Sequence, residues 1–301
     1  MPELPDVTLY VKRLEERVVG NKLEAAKMLR PFVLRSYETP LDRLIGKTTT
    51  GVSRAGKRIV FEFDDELFLL IHLMIAGRFV WNDPPFDPIT IGSKIQSAYW
   101  IWDSGRLVLT EASSKKRAGV WIENRREAVH SHDRGGLDLF EATAERFETK
   151  LKEKNRTLKR ALTDPSAFDG IGNAFSDEIL FAAKLSPVRL TSSLSSYESA
   201  RLLKAGRECF EYWIGKLQKD IKGFPKPSQI TAFRPEFFVH GKYGKPCQVC
   251  GSPIQHIVHA ENETNYCAKC QNEGRLLADR SLSRLLKDDW PKTLEEMLGE
   301  S

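Results

Sequence analysis

Apolar positions change their period twice along this chain. Over residues 6–19 they recur at helical spacing. Val7, Tyr10, Val11, Leu14 and Val18 fall on one face and Gly20 follows as a stop, which predicts an amphipathic helix. From Thr48 the pattern shortens to strand-sized runs. Residues 58–63 and 67–73 flank Asp64-Asp65, and residues 98–103 and 106–110 flank Ser104-Gly105, so both pairs read as hairpins. Further strands are expected at 78–81 and 118–123, while Pro84, Pro85 and Pro88 mark a loop. Several antiparallel strands after one helix predict a β-sandwich or barrel.

Near residue 130 the chain turns polar, with His130, His132, Gly135 and Gly136, and beyond it the period is helical again. Helices are expected over 142–153, 155–162, 176–183 and 195–220. The last opens with the capping box Ser195-x-x-Glu198. A Pro- and Gly-rich stretch, 223–235, leads to a cysteine-bearing segment. Past Gln271, Leu282, Leu285 and Leu286 form a stripe, and Pro291 opens a short final helix through Leu298. These shifts divide the chain at 1–130, 131–236, 237–272 and 273–301.

Composition narrows the class. A chain of 301 residues is long enough for two domains with real cores. Its 41% hydrophobic and 29% charged content excludes a largely disordered protein. The best apolar run, 67–74, is strand-sized and interrupted by His72, well short of the roughly 18 residues of a membrane span. The N-terminus lacks the basic and apolar regions of a signal peptide, so an intracellular protein without a membrane partner is expected. The net charge of +5 is compatible with nucleic acid without selecting it.

The cysteines are more specific. Four of the five form Cys247-x2-Cys250-x16-Cys267-x2-Cys270, two knuckles that can each aim two sulfurs at one ion. Two disulfides are the alternative, disfavoured in an intracellular chain. A closed set of four thiolates has no open position, so one structural Zn2+ is expected rather than a catalytic one. Cys209, among Ala205, Phe210 and Trp213, reads as an inert buried thiol. His130-x-His132 reads as polar linker, and His72 as a core residue.

Three more features complete an ordered set. The chain starts Pro2-Glu3-Leu4-Pro5-Asp6. A lysine ends Arg54-Ala55-Gly56-Lys57. The helical half holds Gly170-Ile171-Gly172-Asn173 followed by Ser176-Asp177-Glu178. Glycines of that spacing let backbone N–H groups approach a ligand, and a following helix N-terminus favours an anion, which describes a phosphate seat. With the cysteine ribbon last, this arrangement resembles the formamidopyrimidine-DNA glycosylase/endonuclease VIII family of base-excision repair enzymes, over about residues 2–271.

The resemblance implies a fold and a chemistry. The fold is α+β: an N-terminal helix and antiparallel β-sandwich, then a helix–two-turn–helix domain with a C-terminal four-cysteine zinc ribbon, DNA lying between the two parts. The activity is a DNA glycosylase with abasic-site lyase function acting on damaged DNA as a monomer. Loss of Met1 would expose Pro2 as a secondary amine, and an α-amino group titrates near 7.7–8.0 against about 10.4 for lysine. Such an amine can attack the sugar C1′ and leave a Schiff base. Glu3 would move protons, and Lys57 would contact phosphate and assist elimination. Lys159 and Asn173 would bind phosphate.

Departures from the family pattern are equally informative. The family's wedge segment His-Leu-Gly-Met-Ser-Gly-Arg aligns with His72-Leu73-Met74-Ile75-Ala76-Gly77-Arg78, so the wedge Met becomes Ile75. An inserted Arg becomes Lys116, which lacks the planar fork, and an inserted Phe becomes Ala118, which cannot fill a gap between bases. A ribbon Arg assigned to δ-elimination becomes Asn262, between Glu261 and Glu263. The segment that closes over oxidised purines has no match, so 8-oxoguanine specificity is not implied. Two other readings follow: a lyase for abasic or single-strand lesions, and a damaged-DNA-binding protein without catalysis, against which intact Pro2, Glu3 and Lys57 argue.

Overall fold

The computed structural model describes residues 1–88, 93–259, 262–278 and 291–299. The expected stripe at Leu282, Leu285 and Leu286 lies outside them, as does Glu261. The chain packs as two compact units. One comprises Met1–Arg134 with Tyr212–Ala232, the other Gly135–Glu211 with the described part of Phe233–Ser301.

The first unit opens with α1 (Leu4–Val18). Val7, Tyr10, Leu14 and Val18 are fully buried on its predicted face, and Val11 packs at the margin. Eight strands follow: β1 (Leu23–Met28), β2 (Thr49–Ala55), β3 (Arg58–Phe63), β4 (Leu67–His72), β5 (Gly77–Asn82), β6 (Gln96–Trp102), β7 (Gly105–Glu111) and β8 (Gly119–Glu123). They form two four-stranded antiparallel sheets, ordered β1-β6-β7-β5 and β2-β3-β4-β8. Alternation explains how they share a core. Ile59, Phe61, Leu69 and Ile71 from one sheet and Phe79, Trp100, Leu107 and Leu109 from the other are buried in one cluster with α1. The intervening Val60, Phe68 and Leu70 point the other way and pack on Val129 of α2 (Arg126–Ser131). Each such apolar side chain contributes roughly 1.5–3 kcal/mol on burial.

Strand β1 and helix α2 are not announced by periodicity, because Glu24, Ala25, Ala26 and Lys27 carry no strand alternation and α2 is under two turns long. Leu217, Ile221 and Ile230 belong to the same core as α1, which is why 212–232 packs with the first unit although the sequence pattern keeps 131–236 together.

The second unit is helical, with α3 (Ala144–Lys152), α4 (Leu158–Leu162), α5 (Asn173–Ala182) and the early part of α6 (Ser196–Asp220). The Ser195–Glu198 box forms as expected: the Glu198 N–H donates to Ser195 Oγ at 3.2 Å and the Ser195 N–H to Glu198 Oε2 at 2.9 Å. A two-stranded hairpin, β9 (Gln255–His259) and β10 (Asn262–Tyr266), carries the cysteine knuckles, with α7 (Ala268–Asn272) after it. The tail helix α8 (Leu294–Leu298) is shorter than the pattern implies and buries Leu294 beside Tyr266. Among the described residues no helix is long and apolar enough to cross a membrane.

Candidate active site and zinc centre

The chain start is built into the first unit. Pro2 is buried, and Glu3, only 2% exposed, is the N-cap residue of α1. Its backbone N–H donates to Asp6 Oδ2 at 3.0 Å, and Pro5 sits in the first helical turn, where no N–H is needed. Lys57 occupies the two-residue turn between β2 and β3, after Gly56 at φ +62°, one step before the strand that the sequence suggests. The terminal amino group, which here belongs to Met1, titrates below its ordinary value. Burial is the main cause; Arg78 and Lys57 lower it further, while Glu3 and Asp6 oppose them. The amine therefore sits within electrostatic reach of two cations and two carboxylates.

Ile75 stands at the tip of a rigid turn between β4 and β5 and is 54% exposed. Met74 adopts φ +52°, and its N–H donates to His72 Nδ1 at 3.1 Å. Burial, with help from Arg58 and Lys57, pushes the His72 imidazole down to about 4, which keeps that nitrogen an acceptor. The Gly77 N–H closes the turn on Leu73 O at 2.8 Å, and a Cβ at Gly77 would meet that oxygen at 2.2 Å, so only glycine fits. Arg78 completes the frame. Its Nη1 donates to Ile75 O (3.1 Å) and Gly77 O (2.6 Å), and its Nε donates to Ile230 O (2.7 Å). His72 and Arg78, which frame the turn that carries Ile75, are not singled out by the motifs. The signal was present, since both lie in the aligned wedge segment.

The segment expected to supply the other inserted side chains is tied down instead. Glu111 is 1% exposed, and its Oε1 accepts the N–H groups of Arg117 (2.8 Å) and Ala118 (3.2 Å). Lys116 Nζ donates to the Glu111 carbonyl of the same loop. Ala118 is 1% exposed and belongs to the core.

In the second unit α5 begins at Asn173, three residues earlier than its pattern suggests, with Gly172 as N-cap and Gly170 at φ +75°. Asn173 thus stands at the helix N-terminus, where anions are favoured. Its amide Nδ2 donates to Glu263 O at 2.9 Å. Lys159, expected to face phosphate, is 9% exposed and turned inward: Nζ donates to Asp177 Oδ1 and Asn173 O, both at 2.6 Å. The other Asp177 oxygen pairs with His240 Nδ1 (2.7 Å) and accepts the Asn265 N–H (3.1 Å). Glu178 accepts the N–H groups of Phe238, Val239 and His240 at 2.8–2.9 Å, while burial pushes its carboxyl up. These two carboxylates fasten the ribbon to α5. Asn262 begins β10; its side chain lies outside the described part of the structure.

The four cysteine sulfurs lie within 4.8 Å of one another, with Cys247–Cys270 at 3.9 Å and Cys250–Cys267 at 3.4 Å. A tetrahedron with Zn–S bonds of about 2.3 Å has edges of about 3.8 Å, so the donor set fits. The site holds one structural Zn2+. His132, from the polar stretch after β8, pairs with Glu123 Oε1 at 2.8 Å.

A helix-led double sheet, a Gly-x-Gly-Asn turn opening a helix and a four-thiolate ribbon follow one another here in the order of the base-excision repair enzymes, DNA glycosylases with abasic-site lyase activity, that the sequence resembles. Family models agree along the chain. The Formamidopyrimidine-DNA glycosylase N-terminal domain matches residues 1–115, its H2TH domain residues 138–220, and the zinc finger found in FPG and IleRS residues 244–272. The formamidopyrimidine-DNA glycosylases of Carboxydothermus hydrogenoformans and Geobacillus kaustophilus are each 30% identical to it, covering 90% of this chain and all of their own. A structure of Lactococcus lactis Fpg with abasic site containing DNA is 26% identical with a TM-score of 0.78, covering 90% of this chain and 99% of that one. A mutant of that enzyme with Fapy-dG containing DNA gives 26% and 0.79, covering 90% of this chain and all of that one. The chain belongs to the formamidopyrimidine-DNA glycosylase family.

Proposed function

We propose that this protein excises a damaged base and cleaves the strand through a Schiff base on Pro2. After Met1 is removed, the Pro2 nitrogen attacks C1′ and the glycosidic bond breaks, its electron pair leaving with the base. Glu3 protonates the opening sugar ring or the departing base. The iminium makes the C2′ proton acidic; its removal expels the 3′ phosphate by β-elimination, and water releases the enzyme. Lys57 contacts phosphate and assists this step. The single observation that carries the reading is the placement of Pro2, buried at the entry to α1 directly before the buried N-cap residue Glu3, at a chain end within electrostatic reach of Asp6, Lys57 and Arg78. An α-amine, with an ordinary value near 7.7–8.0, is partly unprotonated at neutral pH and can act as the nucleophile.

Damaged DNA is the proposed partner, met by an intracellular monomer. Asn173 faces phosphate at the start of α5, and Lys159 acts by holding the Asn173 carbonyl. Ile75 is the wedge. Because Ala118 is buried and Lys116 is folded back, a narrower reading gains support: abasic or single-strand lesions, which require less flipping, are preferred over intact lesions in duplex DNA. With Asn262 in place of an arginine, β-elimination products are expected to dominate. The test is a panel of lesion and abasic oligonucleotides, single- and double-stranded, scored for base release and for the chemistry of the cleaved ends. Cleavage of abasic strands with unsaturated 3′ ends supports the proposal. Binding without cleavage of any substrate rejects it in favour of a damage-binding role.

A further inference from the structure

We propose that residues 233–256 carry a stacking surface for single-stranded DNA, formed by Phe233 and Tyr243, separate from the lyase chemistry. Both rings are large, apolar and more than half exposed, at 68% and 56%. Each is laid on a histidine. Tyr243 stacks on His256 with centroids 3.6 Å apart and planes 2° from parallel, and Phe233 lies on His240 at 5.8 Å and 23°. The backing histidines are themselves anchored, His240 to Asp177 and His256 to Glu263 Oε1 at 3.2 Å. Gly241 adds a constraint: a Cβ there would meet Phe233 Cδ1 at 2.8 Å, so the ring lies close over the glycine backbone. Rings fixed in this way lose little entropy when a base stacks on them.

The charge around them suits a phosphate chain. Of the cations in residues 233–256, Arg234 is buried while Lys242 and Lys245 reach the surface, beside the exposed Glu236 and with Glu263 taken up by His256. Lys245 is exposed, and Lys242 Nζ reaches back to Pro235 O at 2.7 Å, on the segment that carries Phe233. Exposed aromatics interleaved with cations are the means by which proteins hold single strands without regard to sequence, since every base has a π-face. Paired bases in a duplex keep those faces covered, so the surface selects unpaired DNA.

The experiment measures binding of a labelled, lesion-free oligo(dT) to the full-length zinc-loaded protein by fluorescence anisotropy, beside lyase activity on an abasic duplex. Phe233→Ala with Tyr243→Ala is expected to weaken oligo(dT) binding at least tenfold and to leave cleavage of the abasic duplex within about twofold. Tyr243→Trp keeps a stacking face and is expected to hold or tighten binding, which guards against a folding defect in the double variant. Photocross-linking from 5-iodouracil in the oligonucleotide should map to Tyr243 or Phe233. Absence of oligo(dT) binding by the unaltered protein overturns the proposal and leaves the surface to a protein partner. Unchanged affinity in the double variant, or equal loss of duplex cleavage, overturns it as well. Because the lyase assay is read separately, failure of the Schiff-base mechanism would not be mistaken for failure of this surface.

Discussion

The two units use buried charge in opposite ways. In the first, the chain end lies among Glu3, Asp6, Lys57 and Arg78, and burial pulls its amine toward the neutral form. In the second, Lys159, Asp177, His240 and Glu178 bind one another and the backbone, fastening the ribbon to α5. A lysine next to a helix N-terminus can thus be drawn inward by a carboxylate of that helix instead of facing solvent. Where an acid stands one helical turn into the neighbouring helix, as Asp177 does, the ammonium becomes a strut between that acid and the Asn173 carbonyl.

If that contrast is right, zinc removal should give the largest effect and confine it to the second unit. Four-thiolate zinc contributes on the order of 10 kcal/mol to folding of such a ribbon. A strong chelator should therefore abolish hydrogen-exchange protection in 244–272 while β3 and β4 keep theirs. Replacing Pro2 attacks the other side of the comparison. Pro2→Thr is expected to lower strand cleavage at an abasic site by ~10^3-fold or more, with the denaturation midpoint unchanged. Asp177→Ala should do the converse. It leaves Lys159 and His240 buried without their carboxylate, so a loss of about 3–5 kcal/mol in denaturant unfolding of the second unit is expected.

These contrasts also define what was legible in the sequence. The helix, both hairpins and each cysteine knuckle follow from local period and spacing, because each is settled by neighbours within a few residues, whereas the order of the two sheets rests on distant pairings such as β1 with β6 and β4 with β8. The roles of Lys159, Lys116 and Ala118 were not legible. They depend on Asp177, on the Glu111 carbonyl and on the core behind β8, contacts that residue type alone does not encode. His72 looked like an ordinary core histidine. Its use as the acceptor for Met74 N–H depends on a left-handed residue that no apolar pattern announces. The start of α5 at Asn173 was missed because Gly172, not a side-chain cap, begins the helix.

Smaller effects sharpen the comparison further. The folded His72 value of about 4 lies below its ordinary 6.5, so the unfolded chain takes up its proton first as pH falls. Stability carried by neutral His72 is complete above about pH 6.5 and is lost on acidification toward pH 4, a change of order 2–3 kcal/mol. Unfolding of the first unit followed across that range should show it, and His72→Gln should flatten the slope. At the small end, Glu198 is held down to about 2 by the Ser195 N–H and then by Arg189. Its contribution is present above its unfolded value near 4.5 and disappears toward pH 2. Glu198→Gln is expected to cost about 1 kcal/mol at pH 7 and almost nothing at pH 2, measured by urea titration.

The proposed mechanism stands or falls on Pro2 supplying the reactive nitrogen. Borohydride reduction in the presence of an abasic oligonucleotide, followed by proteolysis and tandem mass spectrometry, locates the trapped sugar on the chain. The expected product is an adduct on a peptide that begins at Pro2 and has lost Met1. An adduct on Lys57 or Lys159, or a stable strand break with no trapped protein, would contradict it.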